Sequence, residues 1–108
     1  MNPEPFHQLD RVIHEKWRLA IMSLLAASSQ LSFTDMRSML GMTDGNLTAH
    51  TRTLQQAGYL TVRKSTSGSR PQTLFSLTAA GRRAFTDYID LLEQIVQANR
   101  LAGEDGPR

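Results

Sequence analysis

Asn46, Thr48, Arg52 and Thr53 crowd into one stretch, "GNLTAHTRTLQQAGYL", from Gly45 to Leu60. An asparagine amide can pair bidentately with adenine, and a threonine reaches a base edge or a thymine methyl. Arg52 suits guanine and phosphate equally, and the sequence leaves both open. With Leu47 and Leu54 facing inward, steps of about 100° per residue put Gly45, Thr48, Ala49, Arg52 and Gln56 on the opposite face. Asn46 and Thr53 flank that face. Ala49 leaves room for the helix to sit deep in a groove or for a thymine methyl. Thr43 or Asp44 is the expected N-cap. Asp44 could otherwise accept from cytosine, though it would repel phosphate. His50 lies towards the core side, where packing or hydrogen bonding is expected rather than a base contact.

The elements that must hold these groups can be read along the chain. Leu9, Ile13, Trp17, Ile21, Leu24 and Leu25 recur at helical spacing and predict one helix from Leu9 to Ala27. After the break "SSQLSF", Thr34 is placed to cap a short helix over Asp35 to Leu40, which Gly41 ends. "MTD" then leads into the candidate recognition helix, residues 44–57, closed by Gly58. "YLTVRKST" alternates as a half-buried strand does, "SGSRP" is turn chemistry, and "QTLFSL" returns as a second strand. Thr78 caps a last helix from Ala79 to about Asn99. The domain is expected over residues 9–99, between a flexible N-terminus (1–8) and a disordered tail (100–108).

The predicted fold is mainly α (α+β): a winged helix-turn-helix with a two-stranded wing and a long C-terminal dimerisation helix. The wing, residues 61–76, carries Arg63, Lys64 and Arg70. Arg70, beside Gly68 and Pro71, suits a minor-groove or backbone contact. Arg37 is a candidate phosphate contact from the first helix of the motif. The last helix shows more apolar surface than a small core covers. One edge is expected to pack inside with Ile13 and Trp17, and the rest to pair with a symmetry mate. The expected dimer set is Ile13, Trp17, Phe85, Tyr88, Ile89, Leu92, Ile95 and Val96.

Together these residues resemble the small winged-helix transcriptional regulators of bacteria and archaea, in the broad MarR/ArsR-like group. The resemblance runs from Leu9 to about Leu92. It rests on "TDGNL" with a histidine three residues on, "L..AGYL", and "RP.T...LT..GR.AF". It implies a homodimeric double-stranded DNA-binding protein without catalytic function. The chain departs from it at Ala49, where the family often carries a basic residue, and at Thr51, where it often carries an aliphatic one. The first removes a contact to DNA and the second thins the core.

Composition bounds the alternatives. The chain has 108 residues, 40% hydrophobic and 20% charged, with a formal net charge of +2. That suits one soluble domain and does not by itself announce a nucleic-acid binder. Charge distribution says more. Arg37, Arg52, Arg63, Lys64 and Arg70 face a single acid, Asp44, in the middle of the chain. From Phe85 onward Asp87, Asp90, Glu93, Glu104 and Asp105 outnumber Arg100 and Arg108. No signal peptide or membrane span is expected, and with no cysteine the cytoplasm is the default compartment. His7 and His14 lack partners at metal spacing, and no nucleophile–base pair or phosphate-cradling glycine loop is present. No cofactor, metal or catalytic residue is expected. A cleft between the first and last helices could hold a small apolar effector or equally be closed by dimer packing, and the sequence indicates no effector. The competing function is a protein-interaction or nucleoprotein-architecture module that binds DNA weakly and without sequence preference.

Overall fold

The predicted first helix does not begin at Leu9. In the computed structural model, which describes residues 3–105, Asp10 Oδ1 accepts from the N–H groups of Val12 (2.8 Å) and Ile13 (3.1 Å). A carboxylate that takes its neighbours' donors in this way competes with helix formation. The Glu15 carboxylate then accepts from Trp17 N–H at 2.6 and 3.0 Å and acts as an N-cap. The apolar stripe therefore crosses a turn, and only Lys16–Ala26 is helical within it. Ahead of the turn, Glu4–Gln8 form a short helix where a flexible lead-in was expected.

The element order is α1 (Glu4–Gln8), α2 (Lys16–Ala26), β1 (Leu31–Ser32), α3 (Phe33–Leu40), α4 (Asp44–Gln56), β2 (Leu60–Ser65), β3 (Gln72–Leu77) and α5 (Ala79–Asp105). The expected hairpin is present, with Leu60 opposite Leu77 and Ser65 opposite Gln72. It gains a third strand: β1 pairs antiparallel with β3, Leu31 opposite Phe75 and Ser32 opposite Leu74. That pairing moves the cap of α3. Ser32 leaves the strand in an extended conformation and its Oγ accepts from Asp35 N–H at 3.1 Å, so Thr34 lies inside the helix. α5 continues past Asn99 to Asp105, because Arg100, Leu101 and Ala102 are good helix formers. The expected disordered tail is therefore helical as far as it is described, and residues 106–108 lie outside the described residues.

Ile13, Ile21, Met22, Leu25, Met36, Leu47 and Leu54 form the fully buried centre, with Leu60, Phe75 and Tyr88 around it. α4 contributes two large side chains, Leu47 and Leu54, each stabilising the fold by about 1.5–3 kcal/mol. Thr51 lies between them and is buried, but its hydroxyl donates to Leu47 C=O at 2.8 Å. The residue expected to thin the core is thus satisfied within its own helix.

A tight junction ties α4 to α5. Tyr59 N–H donates to Leu54 C=O and Thr78 N–H donates to Tyr59 C=O, each at 3.0 Å. Thr78 Oγ1 donates to Gly58 C=O (2.6 Å) and accepts from Gly81 N–H (2.9 Å), the cap expected at this position. Gly81 packs so close that an added Cβ would run into the Tyr59 carbonyl, 2.9 Å from its carbon. The Tyr59 hydroxyl donates to Asp10 Oδ2 at 2.5 Å.

Gly81→Ala tests the junction. Helix propensity favours alanine by about 1 kcal/mol, but overpacking against immovable backbone costs about 1–3 kcal/mol. We expect the clash to win, leaving a net loss of up to about 2 kcal/mol and a lower melting temperature; an unchanged or raised melt would show that the helix can shift away. A second test uses pH. The hydrogen bond to Asp10, then burial, then Asp10's negative charge push the Tyr59 phenol up from 10.0 to about 12. An unfolded tyrosine ionises near 10, so this contribution is intact below pH 10 and is lost as pH rises towards 12. Burial also raises Tyr88, in the same direction. Denaturant unfolding across that range should show a shallower decline in Tyr59→Phe than in the unmodified chain, and parallel declines would contradict the assignment.

Candidate nucleic-acid interface

Leu47, Thr51 and Leu54 bury one side of α4, and this fixes what the other side offers. Gly45, Thr48, Ala49, Arg52 and Gln56 are exposed, with Asn46 and Thr53 half-buried at the flanks, as the helical spacing predicted, and Asp44 is exposed beside them. The turn before α4 follows from Gly41, whose backbone is left-handed at φ 66°, and from Met42 N–H donating to Arg37 C=O at 3.1 Å. Thr43 resolves the choice of cap, since its Oγ1 accepts from Asn46 N–H at 3.1 Å. Asp44 is thereby freed from capping and accepts instead from Arg37 Nη1 at 2.6 Å.

These hydrogen bonds sort the candidate residues. The Thr53 hydroxyl donates to Ala49 C=O at 3.2 Å, so it is turned back on its own helix. Among the described residues, the side chains of Asn46, Thr48 and Arg52 have no partner and keep their full hydrogen-bonding capacity. His50 takes the structural role expected of it. Its Nδ1 lies 3.2 Å from Arg18 Nη1 and its Nε2 lies 3.8 Å from Glu15 Oε1, joining α4 to the start of α2. Arg18 in turn donates from Nε to Val12 C=O at 2.6 Å.

The wing follows α4 through Gly58 and Tyr59, and β2 packs against that helix. Arg63 is not loose: its Nη2 donates to Gln30 Oε1 at 3.0 Å, which ties the first wing strand to the loop before β1. Lys64 and Arg70 are exposed and, among the described residues, without partners. The tip is closed by Ser65 and Ser67, whose hydroxyl oxygens lie 2.9 Å apart. The Arg37–Asp44 and Arg63–Gln30 pairings are the two ties that the sequence reading did not foresee. The opposite charges on either side of "SMLGMT" were a usable signal for Arg37 and Asp44, whereas nothing in the sequence links Gln30 to Arg63.

The expected pairing surface needs correction. Ile13 is 0% and Tyr88 3% exposed, both inside the protomer, so neither is available to a second subunit. Tyr88 turns inward because its ring packs in the core while its hydroxyl lies 2.7 Å from His14 Nδ1. Trp17, Phe85, Leu92 and Ile95 are half-buried against the core. Ile89 and Val96 remain open, at 37% and 40%. A mainly apolar cleft of about 430 Å³ does lie between α1 and α5, lined by Pro5, Phe6, Ile95, Ala98 and Ala102. A second hollow, between the N-terminal turn and α5, measures about 620 Å³ and is edged by Asp10, Asp87 and Asp90, with Tyr59 and Tyr88. Among the described residues no three His, Asp or Glu side chains come together as metal ligands, and no helix is long and apolar enough to cross a membrane.

Comparison with known proteins agrees with this geometry. The family described as the winged helix DNA-binding domain matches residues 17–96. A relative from Methanocaldococcus jannaschii, itself described as uncharacterised, is 32% identical over 79 residues, which is 73% of this chain and 86% of the relative. Among solved structures, a transcriptional regulator homologue from Pyrococcus horikoshii OT3 is similar with a TM-score of 0.80 at 24% identity, covering 88% of this chain and 92% of that one. A transcriptional regulator of the MarR family from Enterococcus faecalis V583 gives 0.74 at 19% identity, over 86% and 84% of the two chains. Those two likenesses are likenesses of fold. With the family match spanning most of the chain, this protein belongs to the winged helix DNA-binding domain family, and its fold is that of MarR-like transcriptional regulators.

Proposed function

We propose that the protein is a sequence-specific transcriptional regulator of the cytoplasm. It binds double-stranded DNA as a homodimer on a pseudopalindromic operator. The recognition helix, residues 44–57, enters the major groove, and the wing, residues 61–76, lies on the backbone or in the minor groove. The observation that carries this reading is the outward face of α4. Asn46, Thr48 and Arg52 are unpartnered there, beside small residues at Gly45 and Ala49 that let the helix approach closely. The one acid on that face, Asp44, is already paired with Arg37. Thr43 and Thr53 border the contact, and Arg63, Lys64 and Arg70 supply phosphate or minor-groove contacts from the wing.

The second subunit is supported by α5. Ala84, Tyr88, Leu91 and Ile95 form a stripe that packs inward. Phe85, Ile89, Leu92 and Val96 form a second stripe about 100° round the helix, at alternating spacings of four and three. That spacing is the seam of a paired helix, and its outermost members are the exposed Ile89 and Val96. The Cα radius of gyration is 16.9 Å, against about 13 Å for a compact chain of this size. The long helix thus extends beyond the core that covers its first turns. Pairing through it would set two recognition helices against half-sites about one DNA turn, or a multiple, apart.

Binding to a duplex from the gene's own upstream region, against random duplex at two salt concentrations, tests the function. We expect a preference for the upstream fragment that persists as salt rises. Equal, weak binding that collapses with salt would favour the nucleoprotein-architecture reading. Asn46→Ala should relax sequence preference. Arg70→Ala should weaken binding to every duplex alike and lower the salt slope by about 0.9 for each phosphate it no longer neutralises. Equal losses from both, with unchanged preference, would refute the groove assignment. For the dimer, the double variant Ile89→Glu, Val96→Glu should sediment as a folded monomer and lose at least about tenfold in operator affinity. A variant that stays dimeric would place the interface elsewhere.

A further inference from the structure

The ion pair at the helix-turn-helix turn is out of proportion to any role in folding. Arg37 Nη1 and Asp44 Oδ1 are 2.6 Å apart, yet 38% of the arginine side chain and 69% of the aspartate's are exposed. Pairs this open to water add little to stability. Asp44 is not needed as a cap either, because Thr43 Oγ1 already holds Asn46 N–H. A carboxylate at the N-terminal turn of a DNA-reading helix also has a cost. That end of a helix attracts phosphate, and a negative side chain there repels it.

Its position accounts for it. Arg37 sits in the last turn of α3 and Asp44 in the first turn of α4, so each charge is favoured by its own helix end. The Arg37 backbone is fixed as well, its carbonyl accepting from the N–H groups of Gly41 and Met42 across the left-handed turn. The side chain is thus anchored at both ends, unlike Arg52, Lys64 and Arg70. An arginine held in place loses less rotamer freedom when it binds. A guanidinium has five N–H donors, and one is given to Asp44.

We infer that Asp44 is a positioning residue: it holds the Arg37 guanidinium at the entry of the recognition helix, where the remaining donors take a backbone phosphate of the operator. Asp44 therefore reads no base, in contrast to the cytosine contact its sequence position allows. This rests on the DNA-binding function proposed above and adds to it a contact and a residue that presents it.

The test is a double-mutant cycle on duplex binding with Arg37→Ala, Asp44→Ala and the pair together, and with Asp44→Asn as the conservative variant. Thermal melts on each protein separate folding from binding. Arg37→Ala is expected to weaken binding on the order of tenfold, the loss of one charge-assisted hydrogen bond, and to lower the salt slope by about 0.9 per subunit. The diagnostic is a reversal of sign. Asp44→Ala should weaken binding when Arg37 is present. With Arg37 already alanine it should strengthen binding, because only the repulsion of phosphate is then removed. Asp44→Asn keeps an acceptor for Nη1 and should retain binding.

A weakening by Asp44→Ala in both backgrounds, with altered base preference, would make Asp44 a base reader and overturn the inference. Tighter binding in both backgrounds would leave only repulsion, with no positioning. Lower melting temperatures with unchanged binding would reduce the pair to a staple of the turn. If the unmodified protein binds no duplex, the functional proposal itself fails and takes this inference with it; any of the other results leaves that proposal standing.

Discussion

The backbone of Gly81 lies against the backbone of Tyr59 with no room for a side chain between them, and much of the molecule's geometry depends on that contact. Tyr59 is the residue at which α4 has ended and β2 has not yet begun. Its amide reaches back to Leu54, its carbonyl accepts from Thr78, and its hydroxyl reaches Asp10. Thr78 closes the same junction from the other side, bridging Gly58 and Gly81 through one oxygen. α4, the wing and α5 therefore meet at Gly58, Tyr59, Thr78 and Gly81, and the N-terminal turn joins them through the Tyr59 side chain. The backbone contact of Gly81 with Tyr59 cannot adjust by changing rotamer, so α5 keeps its angle to the end of α4.

The exposed face of α4 can be spared from packing because its inner face needs so little. Leu47 and Leu54 reach the centre of the core, and Thr51 fills the turn between them with its hydroxyl bonded internally. His50, Arg18 and Glu15 add a polar tie to α2 at the half-buried margin. Asn46, Thr48 and Arg52 are left without side-chain partners among the described residues. The charges are then distributed in a way that folding alone does not require. Arg37 and Arg63 are held by Asp44 and Gln30, while Arg52, Lys64 and Arg70 lack partners among the described residues. Held cations give register and free ones give reach, and a surface that binds a polyanion benefits from both.

How much of this is legible in the sequence depends on the range of the interaction responsible. The hairpin and the inward face of α4 follow from local periodicity, and both appear in the structure as expected. So do Gly41 at the end of α3 and Thr78 at the head of α5, because caps are local chemistry. The first helix is shorter than its apolar spacing implies, because spacing alone cannot see that Asp10 and Glu15 take backbone donors and insert a turn. β1 is invisible for a different reason: two residues carry no alternation, and only pairing with β3 makes them a strand. Ile13 and Tyr88 show the limit of composition most clearly. An apolar side chain looks the same whether its partner is the core or another subunit, and here both belong to the core.

The same logic bears on the relation between pairing and reading. α5 emerges from the junction at Gly81 with one stripe committed to the core and the adjacent stripe, through Ile89 and Val96, open. A helix fixed so firmly at its head cannot accommodate a partner by pivoting where it joins the wing and α4. In the proposed dimer, the angle at which two such helices pair would therefore be transmitted directly to the separation of the two recognition helices. Half-site spacing would then be a property of the α5 seam, while base preference would remain a property of Asn46, Thr48 and Arg52. Substitutions at the seam could alter which spacing is tolerated without touching a single group that faces DNA.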